Sequence, residues 1–266
     1  MSLVNTVADG FVVARRNLIK IKRVPELLVF TTLSPIMFVL LFAYVFGGAI
    51  AQGDPQLYRE FLIAGIFAQT VVFGATLTGA GLAEDVQKGI IDRFRSLPMA
   101  PSAVLTGRTI SDVVNNVIVL VVMSLTGLLV GWRIRSSFLD ALAGYLVLLV
   151  FAYAISWVMA FVGLLVPSPE VFNQASFIVI FPITFIANTF VPLEALPRAL
   201  EIFAEWNPIS SITQAARELF GNDALVAPAT VWPLQHPVAY TLIWAAIILA
   251  VFIPLTNLQY RRATSR

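Results

Sequence analysis

Six stretches of this sequence each run for 20 residues or more without an Asp, Glu, Lys or Arg. The stretches cover residues 27–46, 61–83, 113–132, 141–166, 171–191 and 238–260. A helix of about 20 apolar residues crosses the ~30 Å hydrocarbon core of a bilayer. Inside lipid the backbone must satisfy its own hydrogen bonds, which favours helices. The sequence therefore predicts an all-α membrane protein with six transmembrane helices.

The composition agrees with one membrane domain covering residues 1–266. Charged residues make up only 12% of the chain, whereas a soluble domain has about 25%. The net charge of +2 gives no electrostatic basis for binding nucleic acid. The chain has no Cys and a single His, His236, which argues against a metal site. It contains no phosphate-binding loop motif, so we predict no catalytic residue and no cofactor bound by this chain.

Residues 1–24 precede the first apolar stretch and have the pattern of an amphipathic helix. Apolar residues recur at helical spacing, and the cations Arg15, Arg16, Lys20, Lys22 and Arg23 fall on other faces. This pattern is typical of a helix that lies in the membrane interface. The alternative is a disordered basic leader.

The distribution of Lys and Arg predicts the orientation of the chain. With both termini in the cytoplasm, twelve cationic residues fall inside and five outside. The twelve are Arg15, Arg16, Lys20, Lys22, Arg23, Lys88, Arg93, Arg95, Arg108, Arg261, Arg262 and Arg266. The five are Arg59, Arg133, Arg135, Arg198 and Arg217. We therefore expect residues 84–101 to face the cytoplasm.

A short charged segment follows the second apolar stretch. Within it Val86, Ile90, Phe94 and Leu97 recur at helical spacing, and Pro98 ends the pattern. We predict an amphipathic cytoplasmic helix over residues 84–98 to which a soluble partner could bind. The alternative is that its apolar face packs on the protein's own interior.

The link before the last span, residues 192–237, is rich in proline but not hydrophilic. Apolar residues at helical spacing up to Trp206 indicate one short helix. Asn207 as a cap, Pro208 at the first position and Gly221 past the end delimit a second. We expect both helices, within residues 192–221, to dip into the outer leaflet. A small extracellular cap is the alternative.

Polar residues inside the apolar stretches are uncharged, which argues against an ion-coupled transporter or an embedded enzyme. They include Gln69, Thr76, Thr78, Asn115, Asn116, Ser124, Asn173, Gln174, Ser176, Thr184 and Asn188. Some could contact a substrate, or they could tie helices together. Arg108 and Asp112, four residues apart near the start of the third span, are predicted to pair.

Two local motifs resemble those of the ABC-2 type permeases, and among these the daunorubicin-resistance-type drug and lipid exporters of actinobacteria. The first motif resembles the segment through which such permeases couple to an ATPase. It contains Glu84, Asp85, Lys88, Gly89, Ile90, Arg93, Phe94, Leu97 and Pro98. The second resembles a late external motif and contains Pro192, Pro197, Asn207, Pro208 and Arg217. At Ile91-Asp92-Arg93 the sequence departs from the run that many members carry.

The resemblance implies a permease subunit of an ATP-driven exporter in a bacterial plasma membrane, not an enzyme. It implies two copies of a separate ATPase that bind ATP and magnesium, and a second permease copy or a paralogue. The substrate would be hydrophobic or amphipathic: a drug, a lipid or a glycoconjugate. The alternative is a membrane facilitator or a membrane-embedded lipid-modifying enzyme that works without an ATPase.

Overall fold

The computed structural model describes residues 25–47, 54–90 and 101–263. Every regular element in these ranges is a helix, which confirms the all-α prediction for them. The predicted interfacial helix over residues 1–24 lies outside the described residues.

The chain forms ten α-helices within the described ranges, with two short elements between them. In chain order the helices are α1 Pro25–Leu40, α2 Pro55–Gly74, α3 Thr76–Gln87, α4 Pro101–Val130, α5 Phe138–Gly163, α6 Pro169–Phe185, α7 Arg198–Trp206, α8 Pro208–Phe220, α9 Trp232–Gln235 and α10 Pro237–Ala263. A π-helix, Leu41–Phe46, continues α1, and a 3₁₀ turn, Leu193–Ala195, precedes α7.

Four of the six predicted spans are helices long and apolar enough to cross a membrane. They are Pro55–Gln87, Leu105–Val130, Phe138–Gly163 and Pro237–Arg262. The first predicted span contributes a shorter apolar helix, Thr32–Val45, among the described residues. The fifth, α6, has 17 residues. The structure thus supports a multi-span membrane protein, while the number six remains a prediction.

The fifth predicted span, residues 171–191, ends six residues early. Helix α6 stops at Phe185 because side chains from α8 and its cap hold the chain in another conformation. Asn207 Nδ2 donates to the carbonyl oxygen of Ile183 (2.8 Å), and Arg217 Nη2 donates to that of Asn188 (2.7 Å). An uninterrupted apolar run therefore does not guarantee an uninterrupted helix.

The second span begins earlier and ends later than its charge-free stretch. Asp54 caps α2 through its side chain, which accepts from the backbone N–H groups of Gln56 and Leu57. The helix therefore includes Arg59 and Glu60, and the buried Glu60 pairs with Arg135 at 2.7 Å. A break at Ala75 separates α2 from α3.

Helix α8 lies inside the bundle, a burial that the sequence did not predict, and its dip into the outer leaflet stays a prediction. Its ends are those predicted: Asn207 accepts from the N–H of Ile209, and Gly221 is left-handed at φ 69°. However, all residues at positions 209–217 are buried, and the helix packs on α2, α5 and α10. The preceding helix, α7, instead leaves Phe203 and Trp206 about half exposed, as an interface helix would.

Candidate functional site

The described residues place the two sequence motifs at opposite ends of the bundle. One end, here called the coupling end, carries the termini of α3, α4 and α10, where Leu82, Leu105 and Tyr260 pack together. The other end, here called the distal end, carries the starts of α2 and α5 and the helices α7 and α8. There Trp132 Nε1 donates to Asn222 Oδ1 at 2.7 Å.

At the coupling end, the first charged residues of the motif form the last turn of α3 instead of starting a new helix. Glu84 and Asp85 belong to α3, and Lys88 is its cap residue. The following Gly89 has φ 63°, which ends the helix because a left-handed residue cannot continue it. The predicted start of a separate helix at residue 84 is therefore wrong, because residues 84–87 belong to α3. Ile90 is the last described residue before residue 101.

The outer face of this turn is solvated, whereas its apolar face packs on the protein's own interior. Lys88 pairs with Glu84 four residues earlier, and that hydrogen bond raises the pKa of Lys88. Val86 packs against the cluster that contains Leu82 and Trp157. For Val86, the alternative prediction of packing on the protein's own interior is confirmed. Arg93, Phe94, Leu97 and Pro98 lie outside the described residues.

A buried ion pair ties this turn to the next span. Arg108 on α4 binds Asp85 on α3, with 13% and 9% of the two side chains exposed. The predicted pairing of Arg108 with Asp112 is therefore wrong. The guanidinium reaches Asp85 by passing over Gly81, where a Cβ atom would overlap it. The charged turn is thus joined to α4 by a buried ion pair.

A cavity of about 440 Å³ lies between α1, α2, α3, α4 and α6. Among the described residues its lining has no charged side chain and combines neutral polar groups, such as those of Gln69, Thr76 and Asn115, with aromatic rings. The rings of Phe177 and Phe181 lie 4.9 Å apart on α6. The polar residues were singled out from the sequence. The aromatic walls were not, because a Phe within an apolar span carries no distinguishing signal.

At the distal end, the residues of the second motif shape the chain around a buried cation. Pro192 and Pro197 precede the 3₁₀ turn and α7, while Asn207 and Pro208 begin α8. From α8, Arg217 is completely buried and its guanidinium lies 3.4 Å from the centroid of the Phe61 ring.

Arg217 makes three hydrogen bonds to backbone carbonyls. Its Nε donates to Phe61 O (3.0 Å), and its Nη2 donates to Asn188 O (2.7 Å) and Thr189 O (3.2 Å). The residue therefore joins α8 to α2 and to the chain after α6, which is a structural role.

Within residues 25–47, 54–90 and 101–263, no three His, Asp or Glu side chains form a group that could hold a metal ion. The helices, the charged turn and the charge-free cavity together define a multi-pass membrane protein with a compartment between its spans.

Comparison with known proteins identifies the class further. Residues 10–220 match the family model described as ABC-2 type transporter. The chain is 36% identical over 246 residues to the daunorubicin resistance ABC transporter permease protein DrrB1 of Streptomyces coeruleorubidus, covering 92% of this chain and 83% of that protein. It is 26% identical over 206 residues to the doxorubicin resistance ABC transporter permease protein DrrB of Mycobacterium tuberculosis, covering 77% of this chain and 71% of that protein.

The chain belongs to the ABC-2 type transporter family. The resemblance noted in the sequence is thereby confirmed, as is the prediction that the chain is a transporter subunit and not an enzyme. Its relatives are permease proteins of ABC transporters, and one part of such a transporter, the ATPase, is a separate subunit.

Proposed function

We propose that this chain is the membrane permease of an ATP-driven exporter in a bacterial plasma membrane. It moves a hydrophobic or amphipathic substrate out of the cytoplasm or the inner leaflet. Six spans with both termini in the cytoplasm put the coupling end inside the cell. Two copies of a separate ATPase bind ATP and magnesium, and a second permease copy or a paralogue completes the transporter.

The observation that carries the proposal is the buried link between the charged turn and the membrane bundle. Asp85 lies in the last turn of α3, next to Glu84, whose side chain pairs with Lys88 on the solvated face, and Asp85 is held by Arg108 of α4. A partner that grips residues 84–98 and moves would pull on α3 and α4 together. That is the connection through which ATP hydrolysis outside the membrane can change the membrane bundle.

The charge-free cavity supports an apolar substrate. A volume of about 440 Å³ falls within the ~300–1,000 Å³ typical of small-molecule sites. Aromatic walls from α1, α2 and α6 would bury a hydrophobic ring system, and the neutral groups of Gln69 and Asn115 could orient its oxygens. An ion-coupled mechanism would instead call for ionisable groups in this compartment, and no described residue that lines it is ionised at neutral pH.

The test is to purify the tagged chain from its own membranes and measure its associated subunits. The expected result is an ATPase with a phosphate-binding loop in a one-to-one ratio with the permease chains. ATP-dependent uptake of a hydrophobic fluorescent substrate into inverted vesicles should accompany it. Uptake that persists without ATP or any ATPase would favour the facilitator. Chemical conversion of lipid by the chain alone would favour the lipid-modifying enzyme.

A further inference from the structure

A second, smaller cavity lies at the distal end and is separate from the charge-free compartment. It has a volume of about 200 Å³ and is bounded by the chain after α6, α7, α8 and residues 226–234. Phe61 and Arg217 belong to its lining. A water molecule occupies ~30 Å³ in the liquid, so this volume corresponds to roughly seven water molecules. It is too small for a whole drug-sized molecule, which needs at least ~300 Å³.

Three buried polar side chains that line this cavity have an atom without a hydrogen-bond partner. These atoms are Asn188 Oδ1, Gln214 Oε1 and Arg217 Nη1. The three residues are 3%, 5% and 0% exposed. Buried polar atoms in folded proteins are almost always paired. The three residues line one cavity, which indicates that a polar group enters it.

Carboxylates line the same cavity and become more buried along it. Glu194 is exposed, Glu201 is partly exposed and pairs with Arg198 at 3.0 Å, and Glu205 is 8% exposed. Among the lining residues the single opposing cation is Arg217, which already binds three carbonyls. The lining therefore favours a positively charged guest. Among the described residues these carboxylates do not form a metal-binding group, and the neutral amide acceptors that line the cavity with them suit an organic ammonium group.

We propose that this cavity binds an ammonium group with a neighbouring oxygen, the chemistry of an amino alcohol or of an ethanolamine headgroup. The ammonium donates to the Glu205 carboxylate and to the free acceptors of Asn188 and Gln214. The oxygen accepts from Arg217 Nη1. The site faces the cell exterior if the proposed topology is correct, but its binding chemistry does not depend on transport or on an ATPase.

The absence of Cys from the sequence makes thiol labelling a clean test in detergent, where both ends of the protein are accessible. Ala229→Cys introduces a thiol in the cavity lining, and Ala224→Cys introduces a reference thiol at the same end outside it. The rates of reaction with aminoethyl and with sulfonatoethyl methanethiosulfonate are measured at both positions. A negative cleft raises local cation concentration by about tenfold or more, so the cation-to-anion rate ratio should be about tenfold higher at Ala229→Cys.

Charge variants and competitors then test the assignment of residues. At Ala229→Cys, the added change Glu205→Gln should lower the cation-to-anion rate ratio towards that of the reference thiol. Asp223→Asn, which removes an exposed carboxylate at the same end, should leave the ratio at Ala229→Cys high. Free ethanolamine should slow labelling of Ala229→Cys several-fold more than ethylamine at equal concentration. Arg217→Lys should remove that difference, since the lost group is the oxygen's donor.

Lipid nanodiscs distinguish the two sources of this chemistry. Protection by free ethanolamine in phosphatidylcholine nanodiscs identifies a soluble amino alcohol as the guest. Protection only when phosphatidylethanolamine is added identifies a lipid headgroup. Equal rate ratios at the two thiols, or equal protection by ethylamine and ethanolamine with no effect of the lipid, would overturn the proposal. None of these outcomes depends on whether the chain is an exporter.

Discussion

Replacing Arg217 by Gln tests whether this buried cation holds the distal half of the bundle together. The change removes hydrogen bonds to the carbonyls of Asn188 and Thr189, which follow the end of α6 and have no helical partner. Each carbonyl left unpaired costs about 1–3 kcal/mol. Loss of the contact with the Phe61 ring adds up to about 2 kcal/mol, and relief of the buried charge offsets part of the total. We expect a net loss of about 2–4 kcal/mol in the free energy of unfolding.

Thermal unfolding of the purified chain in detergent, at one fixed scan rate, measures this loss. With about 2–4 °C per kcal/mol for a chain near this size, the apparent Tm of Arg217→Gln should fall by about 5–15 °C. The apparent Tm of Arg217→Lys should fall by an intermediate amount, because a point charge cannot bridge carbonyls on two sides as a planar guanidinium does.

The matched control is Arg198→Gln on α7. Its side chain is exposed and loses the pair with Glu201 and a weaker attraction to Glu205, so its Tm should stay within about 2 °C of the wild type. If Arg217→Gln were as stable as Arg198→Gln, the reasoning about the buried carbonyls would be refuted.

Three further results are expected. Arg108→Gln removes the cation that binds the buried Asp85, so unfolding in detergent should show a loss of about 3–5 kcal/mol; a neutral effect would contradict the ion-pair account. Gly163→Leu should abolish monodisperse protein on size-exclusion chromatography, because its side chain would overlap the backbone of Gly79. In intact cells, a membrane-impermeant thiol reagent should label Ala224→Cys but not Arg262→Cys; the reverse would invert the proposed topology.

The sequence predicted elements whose signals are local. Charge-free runs located α4, α5 and α10 because the bilayer imposes length and apolarity on each helix separately. The cap residues Asn207 and Gly221 fixed the ends of α8 because capping depends on neighbouring backbone groups.

Relations between distant segments could not be predicted in the same way. Arg108 binds Asp85, 23 residues earlier, instead of the Asp112 that helical spacing suggested, because the close approach of two helices at Gly81 decides the partner. The burial of α8 was missed because Ser, Thr and Gln on its surface are also typical of an interface helix. Glu205 and Gln214 carried no motif, and only the folded chain brings them to the distal cavity.

The central claim is that an ATPase drives this permease through residues 84–98, and transport by the reconstituted complex tests it most directly. We would measure ATP-dependent substrate transport and ATP hydrolysis for the wild type, Phe94→Ala and the control Asp92→Ala. Burial of a Phe side chain in a partner stabilises by about 1.5–3 kcal/mol, more than an exposed ion pair does. Phe94→Ala, still inserted in the membrane, should release the ATPase or hydrolyse ATP without transport, while Asp92→Ala transports nearly normally. Wild-type assembly and wild-type coupled transport in Phe94→Ala would contradict the account.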